Sequence, residues 1–451
     1  MRRKITEKMI SWKTNSCGKT ALLIDGARRV GKSYIVEEFA KSNYKSYILV
    51  DFNEAGPEVI ELFNHNLRDL DSLFMYLSAI YQTQLHIRDS VIIFDEVQLC
   101  PRARAAIKYL VADGRFDYIE TGSLMSIREN VKEIIIPSEE QHLKLYPMDF
   151  EEFLWAKNED LLWKLIVQCY NDRKPLGQSL HRKAMTLFRE YIIVGGMPQA
   201  INEYLKTNSF DSVDLIKRNI LNLYRADISK YAHGYKRKVE SIFDNIPSQL
   251  SKHEKKFTLA SLKKGARYRN YESAFLWLND SMIINICYNS TEPSIGLKLN
   301  RDNTSFKMYM NDTGLLISHA FDENGIVSEE IYKKLLFGKL LVNEGMIFEN
   351  VVAQMLVANH HSLYFYSNSS RTDKDSRMEI DFLISKLKTT SKHNISPIEV
   401  KSGKNYTLSS INKFRKKYHE QLHTAFVLHI NDLEKKDNIL YLPVYMTPLI
   451  K

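Results

Sequence analysis

The sequence predicts an α/β protein whose N-terminal part is built on a parallel β-sheet covered by helices. Residues 20 to about 150 alternate short apolar runs with stretches of helical period, the order that gives parallel strands joined by helices. The runs Ala21–Ile24 and Val91–Phe94 are apolar without alternation, as strands buried on both faces of a sheet are. At 451 residues the chain is too long for one core, so we expect three or four domains.

The composition is that of an ordinary soluble globular protein, with 44% hydrophobic and 26% charged residues. Lys plus Arg outnumber Asp plus Glu by 63 to 54, and this net charge of +9 permits contact with nucleic acid without requiring it. The four cysteines lack metal-ligand spacing, so we expect reduced thiols in a cytoplasmic protein. We expect neither a signal peptide nor a membrane span, because no long apolar run is present.

The stretch Gly26-Ala-Arg-Arg-Val-Gly31-Lys32-Ser33 fits the phosphate-loop pattern, and it stands between a buried strand and a helix as that pattern requires. The glycines let the backbone fold around a polyphosphate, with N–H groups and the helix N-terminus facing its oxygens. We expect Lys32 to reach the β- and γ-phosphates and Ser33 to ligate Mg²⁺, and we include Arg29 among the ATP-binding residues. A fortuitous Gly-rich turn is the alternative.

Polar residues follow two further strands of the predicted sheet. Asp95 and Glu96 end the apolar run Val91–Phe94, and Ser123 follows the strand Phe116–Ile119. Carboxylates at this end of a strand lie where open α/β sheets bind ligands. We expect Asp95 to hold Mg²⁺ through water, Glu96 to orient or deprotonate the attacking water, and Ser123 to sense the γ-phosphate. The alternatives are an acidic turn and a turn-forming Thr-Gly-Ser.

The remaining elements of the first half are mostly helical. We expect a strand at Tyr47–Asp51, helical structure from Leu62 to Ile80, and a helix over Arg102–Leu110. Residues 151–235 have helical period and are predicted to form a helical lid, with a sharp connection at Gly195-Gly-Met-Pro198. Arg225 in this block is a candidate for contacting a phosphate, although an ion pair on the helix surface is the more common role.

Residues 236–320 suggest a winged helix. A helix is expected from Thr258 to Leu262, a turn at Gly265 and a second helix over Tyr271–Met282, followed by strands at 283–286 and 307–310. The front of this unit is basic, which suits contacts with DNA phosphates; its residues are Lys255, Lys256, Lys263, Lys264, Arg267 and Arg269. Winged helices also serve as packing modules, and that alternative stays open.

The C-terminal part holds a second group of charged residues. Asp381 lies inside an apolar strand pattern, and Glu399 and Lys401 stand two positions apart on another, so that both point to one face. These side chains converge if the two strands form a hairpin, and Glu349 adds a carboxylate from a helix. Such carboxylates can hold a divalent metal at a scissile phosphate while Lys401 positions or deprotonates water. The alternative is a strand with charges on a solvated face.

The chain resembles the bacterial and archaeal AAA+ type ATPases that carry a C-terminal domain of PD-(D/E)xK nuclease type. Besides the segments given above, the resemblance rests on motifs spread over nearly the whole chain; they are Tyr146-Pro-Met-Asp-Phe-Glu-Glu-Phe153, Asn311-Asp-Thr-Gly-Leu315, Phe348-Glu-Asn350, Glu379-Ile-Asp-Phe382 and Ile398-Glu-Val-Lys401. The resemblance implies four parts: an ATPase core (1–150), a helical lid (151–235), a winged helix (236–320) and a restriction-endonuclease-like α/β domain (321–451). Glu349, Asp381 and Glu399 fall at the metal site of the nuclease fold.

The chain departs from this family pattern in one place. Family members usually carry a Gly-Arg pair before the Tyr146-Pro147 segment, whereas this chain reads Ile136-Pro-Ser-Glu-Glu140. If that arginine is a trans-acting finger, this chain hydrolyses ATP slowly or uses another arginine. The departure also weakens the expectation of a homo-oligomer.

Two functions of different classes follow from these observations. In the first, an ATPase using ATP and Mg²⁺ acts on DNA, and the C-terminal site cuts it. In the second, the chain is a nucleotide-controlled regulator or scaffold whose nuclease-like domain only binds nucleic acid or a partner. A weak ATPase that acts on proteins is a third possibility.

Overall fold

The structure, a computed structural model, describes residues 1–65, 67, 69–122, 138–252, 255–294, 296–321, 329–336, 344–368, 377–385, 394–403 and 405–451. The chain divides into two compact units, Met1–Tyr146 and Pro147–Lys451. Ser123, which we expect to sense the γ-phosphate, lies outside the described residues.

The first unit is a parallel sheet between two layers of helices, as the sequence predicts. The sheet has the order β2-β3-β4-β1-β5, and every neighbouring pair is parallel. Its strands are β1 (Ala21–Gly26), β2 (Ser46–Asp51), β3 (Ser90–Asp95), β4 (Asp117–Gly122) and β5 (Glu140–Leu145). Its helices are α1 (Ile5–Ser16), α2 (Lys32–Asn43), α3 (Pro57–His65), α4 (Leu70–Ile80) and α5 (Pro101–Asp113).

Each face of this sheet buries its own apolar core, which follows from the period of two along a strand. Leu23 of β1 packs on the side of α3, α4 and α5, in the same core as Phe94 of β3. Leu22 of β1 packs on the opposite side, with residues of α1 and α2. Strands covered on both faces read as continuous apolar runs, which is why they could be recognised in the sequence.

The second unit combines a block of helices with a mixed sheet. The helices that precede the sheet are α6 (Phe150–Ala156), α7 (Asp160–Asp172), α8 (Gln178–Val194), α9 (Pro198–Thr207), α10 (Phe210–Tyr231), α11 (Lys236–Leu250) and α12 (Glu272–Asp280). Those that follow its first strands are α13 (Thr313–Ala320), α14 (Glu329–Leu336), α15 (Glu344–Ala358) and α16 (Ser409–Lys417).

Eight strands form the sheet of the second unit, in the order β12-β13-β11-β10-β9-β8-β6-β7. They are β6 (Ile284–Ser290), β7 (Arg301–Met310), β8 (Tyr364–Asn368), β9 (Met378–Ser385), β10 (Ile395–Val400), β11 (Ala425–His429), β12 (Glu434–Lys436) and β13 (Ile439–Pro443). Strands β6 and β7, where we expect the winged-helix strands, thus belong to the same sheet as strands of the C-terminal part. The boundary at residue 320 remains a prediction.

The region before α12 differs from the expectation in one element. Residues Leu259–Ser261 form a single 3₁₀ turn where we expect a helix over Thr258–Leu262. Gly265 follows with a φ of +77°, a left-handed conformation that interrupts a right-handed helix. The second expected helix is present as α12.

The predicted sharp connection at Gly195-Gly196 is present, and its structural reason is a close contact with a second motif. The φ of Gly195 is +85°, and a Cβ atom there would lie 2.4 Å from Oδ1 of Asp312. Asp312 accepts a hydrogen bond from the Gly196 N–H (2.5 Å) and another from the Leu315 N–H (2.8 Å), so it also caps α13. The Gly-Gly-Met-Pro and Asn-Asp-Thr-Gly motifs therefore support each other.

Candidate functional site

The loop between β1 and α2 has the backbone geometry of a phosphate loop. Gly26 ends β1 so close to β5 that a Cβ atom would lie 2.5 Å from the Leu145 carbonyl oxygen. Gly31 precedes α2 with a φ of +95°, and Arg29 is also left-handed at +67°. These conformations turn the loop back before the helix begins, so that the N-terminal N–H groups of α2 remain available for an anion.

Lys32 is buried inside this loop. Its ammonium donates hydrogen bonds to the carbonyl oxygens of Gly26 (3.0 Å) and Ala27 (3.1 Å). Burial lowers the pKa of Lys32, and the charges of Glu96 and Asp95 oppose this shift. Ser33, the next residue, is exposed. The loop thus holds a cation on uncharged carbonyl groups, an arrangement that favours the arrival of a polyphosphate.

The two predicted carboxylates lie at the C-terminal end of β3, one strand away from β1 across β4. Thr121 of β4 donates a hydrogen bond from its hydroxyl to Oδ1 of Asp95. Glu96 has a left-handed φ of +51° and accepts a hydrogen bond from the side-chain amide of Gln98. The structure therefore brings Asp95 and Glu96 within electrostatic reach of Lys32.

Two further residues near the loop are not predicted from the sequence. Asp25, immediately before Gly26, is buried, and burial raises the pKa of its carboxyl. Its Oδ1 has no hydrogen-bond partner among the described residues. Thr121 belongs to the Thr-Gly-Ser segment, which has the composition of a turn. Each residue lies next to predicted site residues in the sequence, Asp25 beside Gly26 and Thr121 close to Ser123. This proximity is the only feature of the sequence by which they could have been found.

In the second unit, the hairpin required for the C-terminal site is present. Strands β9 and β10 are antiparallel neighbours, with Phe382 opposite Ile398. The Val400 N–H donates to Oδ2 of Asp381 (2.8 Å), and the Lys401 ammonium donates to Oε2 of Glu399 (2.6 Å). Asp381, Glu399 and Lys401 thus converge as expected from the period-two pattern.

Further charged residues join this hairpin from other elements. Lys307 of β7 is buried and lies 2.7 Å from Oε1 of Glu379 and 3.9 Å from Oδ1 of Asp381. Glu349 of α15 pairs with Lys255 and accepts a hydrogen bond from the Tyr309 hydroxyl (3.0 Å). The carboxylates of Glu349, Glu379, Asp381 and Glu399 and the ammonium groups of Lys255, Lys307 and Lys401 are called the C-terminal cluster below.

The charges of the C-terminal cluster shift one another. Burial and the neighbouring Asp381 raise the pKa of Glu399, and the same two causes raise the pKa of Glu349. Burial opposes ionisation of Lys401, but the carboxylates of Glu399 and Asp381 outweigh it and raise the pKa of that ammonium. The two carboxylates thus hold Lys401 as a cation, and its positioning or deprotonation of water remains a prediction.

The fit of a metal to this cluster rests on two oxygen atoms. Oε1 of the buried Glu399 has no hydrogen-bond partner among the described residues, and Oδ1 of Asp381 has Lys307 at 3.9 Å. Within the described part of the chain, no group of three or more His, Cys, Asp or Glu side chains is arranged to hold a metal ion. Glu349 is engaged by Lys255 and Tyr309. A metal held by Glu349, Asp381 and Glu399 therefore remains a prediction.

Arg225, the candidate phosphate contact of the helical block, lies on α10. Its guanidinium is 3.5 Å from Oδ1 of Asp244 and lies over the Phe243 ring. An ion pair on the helix surface is the alternative role that the sequence leaves open for this residue.

Three known families match separate parts of the chain. Residues 18–154 match an AAA domain, residues 185–324 match a domain of unknown function (DUF8612), and residues 344–446 match another (DUF4143). No curated protein matches the chain significantly.

Several solved structures are similar over much of the chain, at low identity. Cdc6p from Pyrobaculum aerophilum is 12% identical. The match covers 93% of the Cdc6p chain and 74% of this chain, with a TM-score of 0.23. The Drosophila ORC bound to DNA is 13% identical. The match covers 94% of the ORC chain and 74% of this chain, with a TM-score of 0.27. PCH-2 of C. elegans is 12% identical, with 66% of that chain and 48% of this one covered and a TM-score of 0.20. At these TM-scores the structural similarity is too weak to support an inference about fold or function.

The first unit thus carries a parallel sheet, a phosphate loop and an AAA domain match over the same residues. The chain contains a nucleotide-binding ATPase domain of the AAA+ P-loop class. Among the described residues, no helix combines the length and apolar character needed to cross a membrane.

Proposed function

We propose that this chain is an ATPase that acts on DNA, and that its C-terminal cluster carries out metal-dependent cleavage of a phosphodiester. The observation that carries the proposal is the β9–β10 hairpin, which brings Asp381, Glu399 and Lys401 together and leaves Oε1 of Glu399 buried without a partner among the described residues. A buried, unpartnered carboxylate oxygen is costly, and a bound cation would satisfy it.

In the first unit, the loop residues would bind the nucleotide. The N–H groups around Gly26 and Gly31 would face the phosphates, Lys32 would turn toward them from the loop carbonyls, and Arg29 is exposed at the rim. Ser33 and Asp95 fit the Mg²⁺ that accompanies ATP, which neutralises charge on the phosphates. Glu96 would orient the attacking water, with Gln98 holding its carboxylate. Ser123 remains a predicted contact to the γ-phosphate.

In the second unit, Asp381 and Glu399 would hold Mg²⁺ or Mn²⁺. A bound divalent ion would polarise the scissile phosphate and lower the pKa of a coordinated water. The Val400 N–H fixes the orientation of Asp381, and Lys401 places a positive charge beside Glu399 for a phosphate oxygen. Glu349 would support the site from α15 rather than ligate directly, because Lys255 and Tyr309 already engage both of its oxygens.

The segment before α12 offers a surface for the DNA backbone. Lys263, Lys264, Arg267 and Arg269 are exposed there, and no carboxylate of the described residues forms a salt bridge with any of them. Lys255 of the predicted basic front does not belong to this surface, because it turns inward to Glu349. Exposed cations on one short segment favour phosphate contact over base readout.

A second candidate function is favoured by the lysines of the C-terminal cluster. Lys255 and Lys307 neutralise carboxylates that a catalytic metal would otherwise use. A cluster neutralised in this way suits a nucleotide-controlled regulator whose C-terminal part binds nucleic acid or a partner without cutting it.

The two candidates separate in a cleavage assay. Labelled duplex, single-stranded and branched DNA would be incubated with the full chain and Mg²⁺ or Mn²⁺, with and without ATP. The variants are Lys32→Ala and Glu399→Gln, with Glu434→Gln on the exposed strand β12 as the matched control. If Glu399→Gln abolishes DNA cleavage and Glu434→Gln does not, the result supports the nuclease. If ATP changes the cleavage rate of the wild type but not that of Lys32→Ala, the result supports coupling between ATP binding and cleavage. ATP hydrolysis without cutting on any substrate contradicts the nuclease and favours the regulator.

A further inference from the structure

Arg3, near the start of the chain, is a buried cation in contact with the phosphate loop. It is 5% exposed. One terminal nitrogen of its guanidinium donates a hydrogen bond to the Val30 carbonyl oxygen (3.1 Å), and the other donates to the Tyr146 carbonyl oxygen (2.6 Å). Because Tyr146 directly follows β5, the guanidinium joins the loop to the edge strand of the first sheet. Hydrogen bonds from a charged donor are strong, so this contact fixes both carbonyl groups.

The contact with Val30 sets the orientation of one peptide group of the loop. The peptide between Val30 and Gly31 is trans, so its C=O and its N–H point in opposite directions. With the carbonyl oxygen turned to Arg3, the Gly31 N–H points away from Arg3. Among the described residues, this N–H donates to no backbone carbonyl. It is therefore one of the loop donors that are left for a phosphate oxygen.

Apolar packing alone does not fix this peptide. The Val30 side chain is fully buried in the same core as Ile5 and Met9 of α1, which holds the side chain in place. The next residue, Gly31, has a φ of +95°, and a glycine adopts positive and negative φ values with similar ease. The peptide plane between the two residues can therefore turn unless its carbonyl oxygen is held.

We propose that Arg3 is a positioning residue for the nucleotide, because it holds the Val30 carbonyl oxygen and thereby keeps the Gly31 N–H facing the polyphosphate before the nucleotide arrives. Arg3 acts on the phosphates only through the loop backbone. The proposal rests on the nucleotide site of the proposed function and is independent of the C-terminal cluster. Without Arg3 the peptide populates both orientations, and the apparent affinity falls by the fraction of the competent one.

The first test is ATP binding to the full chain, measured by titration calorimetry with Mg²⁺. Arg3→Met should weaken binding by about 10-fold, which corresponds to a competent orientation populated about one-tenth of the time. Arg3→Lys keeps the charge but lacks the guanidinium fork that holds two carbonyl oxygens, so it should also bind ATP more weakly than wild type.

Lys13→Met is the matched control for the loss of a cation that fastens the N-terminal segment. Lys13 of α1 donates to the Asn43 carbonyl oxygen and lies over the Tyr44 ring, at the C-terminal end of α2. This contact is at the opposite end of α2 from the phosphate loop. Lys13→Met should therefore leave the ATP affinity unchanged.

A spectroscopic signature separates peptide orientation from a general loss of stability. Val-Gly occurs twice in the chain, at Val30-Gly31 and at Val194-Gly195. Labelling valine carbonyl carbons with ¹³C and glycine nitrogens with ¹⁵N therefore gives one correlation signal for each of the two glycines. Without nucleotide, we expect a single Gly31 signal in wild type and in Lys13→Met, and a broadened or doubled one in Arg3→Met. Saturating ATP should restore the single signal, while the Gly195 signal stays constant throughout.

Each outcome supports or overturns the role of Arg3. Equal ATP affinity in wild type and Arg3→Met would overturn it, as would a sharp, single Gly31 signal in nucleotide-free Arg3→Met. An equal loss of affinity in Lys13→Met would show that Arg3 only fastens the N-terminal segment. If Arg3→Met does not fold, the same measurements on Arg3→Lys decide. A wild type that binds no ATP would contradict the proposed function as well, a result distinct from ATP binding that is indifferent to Arg3.

Discussion

The two candidate sites hold their lysines in opposite ways. In the first unit, Lys32 donates to two backbone carbonyl oxygens, and burial lowers its pKa. In the second unit, burial also disfavours the charge of Lys307, but Glu349 and Glu379 outweigh it and raise the pKa. A lysine whose partners are neutral carbonyl groups keeps a net positive charge that attracts an anion. A lysine paired with carboxylates has its charge neutralised by them. We therefore expect the first site to bind a polyphosphate and the second to bind a cation through the unpartnered oxygen of Glu399.

The largest expected effect distinguishes the two lysines by stability. Lys307→Met removes a buried cation from the half-buried Glu379 and from the buried Glu349, and removing one partner of a buried pair costs about 3–5 kcal/mol. Lys32→Met removes a buried charge whose partners are carbonyl groups, so we expect the free energy of unfolding to change by less than about 1 kcal/mol. Urea unfolding of the full chain, followed separately for each transition, measures both. A similar decrease in the free energy of unfolding for Lys307→Met and Lys32→Met would show that the two lysines are not stabilised differently.

The second prediction concerns ATP. Lys32→Met should weaken ATP binding by about 10- to 100-fold, because charge-assisted hydrogen bonds contribute about 1.5–3 kcal/mol. Lys41→Met, on the exposed side of α2 where Lys41 pairs with Glu37, should leave the affinity unchanged. Titration calorimetry with ATP and Mg²⁺ gives both values. Equal affinity in wild type and Lys32→Met would remove the nucleotide site from this loop.

A third buried lysine sharpens the comparison because it is an intermediate case. Lys217 donates a hydrogen bond to the Ile193 carbonyl oxygen (2.8 Å). Burial lowers the pKa of Lys217 from 10.5 to about 8, although the negative charge of Asp214 acts in the opposite direction. The folded state therefore releases this proton at lower pH than the unfolded state. Its contribution to stability is present above pH 10.5 and is lost as the pH falls toward 8.

Lys217→Met isolates this effect. Between pH 8 and 10, wild type should gain stability relative to the variant by up to about 1.4 kcal/mol per pH unit. Paired urea titrations across this window measure the difference, with Lys206→Met, at the end of α9, as the control. A difference that stays flat or falls with rising pH would show that Lys217 is not held uncharged by burial.

The smallest expected effect concerns the exposed cations before α12. Lys263→Ala combined with Lys264→Ala should reduce the salt dependence of DNA binding, because each phosphate that the protein no longer neutralises lowers the slope by about one. Affinity should fall by a similar factor for different sequences, because phosphate contacts carry no sequence information. Fluorescence anisotropy over a salt series makes the measurement, with the exposed pair Lys435→Ala and Lys436→Ala as the control. An unchanged slope would place DNA binding elsewhere on the protein.

The position of a residue in the fold could be predicted where the relevant residues are contiguous or share one strand. The segment from Gly26 to Ser33 carries its whole geometry in eight neighbouring residues, and Asp95 follows a strand that burial on both faces makes recognisable. Glu399 and Lys401 could be placed together because alternate residues of a strand share a face.

The residues that the sequence does not reveal depend on contacts between segments far apart along the chain. Lys307 and Glu379 meet although β6 and β8 separate β7 from β9 in the sheet, and the period of a strand gives its buried face but not the side chains that this face meets. Lys255 stands in a basic segment that resembles a solvated surface, yet it pairs with Glu349, 94 residues away along the chain. Thr121 could not be predicted for the same reason, since its contact with Asp95 joins two adjacent parallel strands.

The most direct test of opposite charge requirements is a crossed binding measurement on the full chain. ATP binding would be measured in the presence of Mg²⁺, and Mn²⁺ binding in the absence of nucleotide, for wild type, Lys32→Met and Asp381→Asn. We expect Lys32→Met to lose ATP and keep the bound Mn²⁺, and Asp381→Asn to lose Mn²⁺ and keep ATP affinity. If Asp381→Asn leaves the Mn²⁺ count unchanged, or Lys32→Met leaves ATP affinity unchanged, the two sites do not have the opposite charge requirements proposed for them.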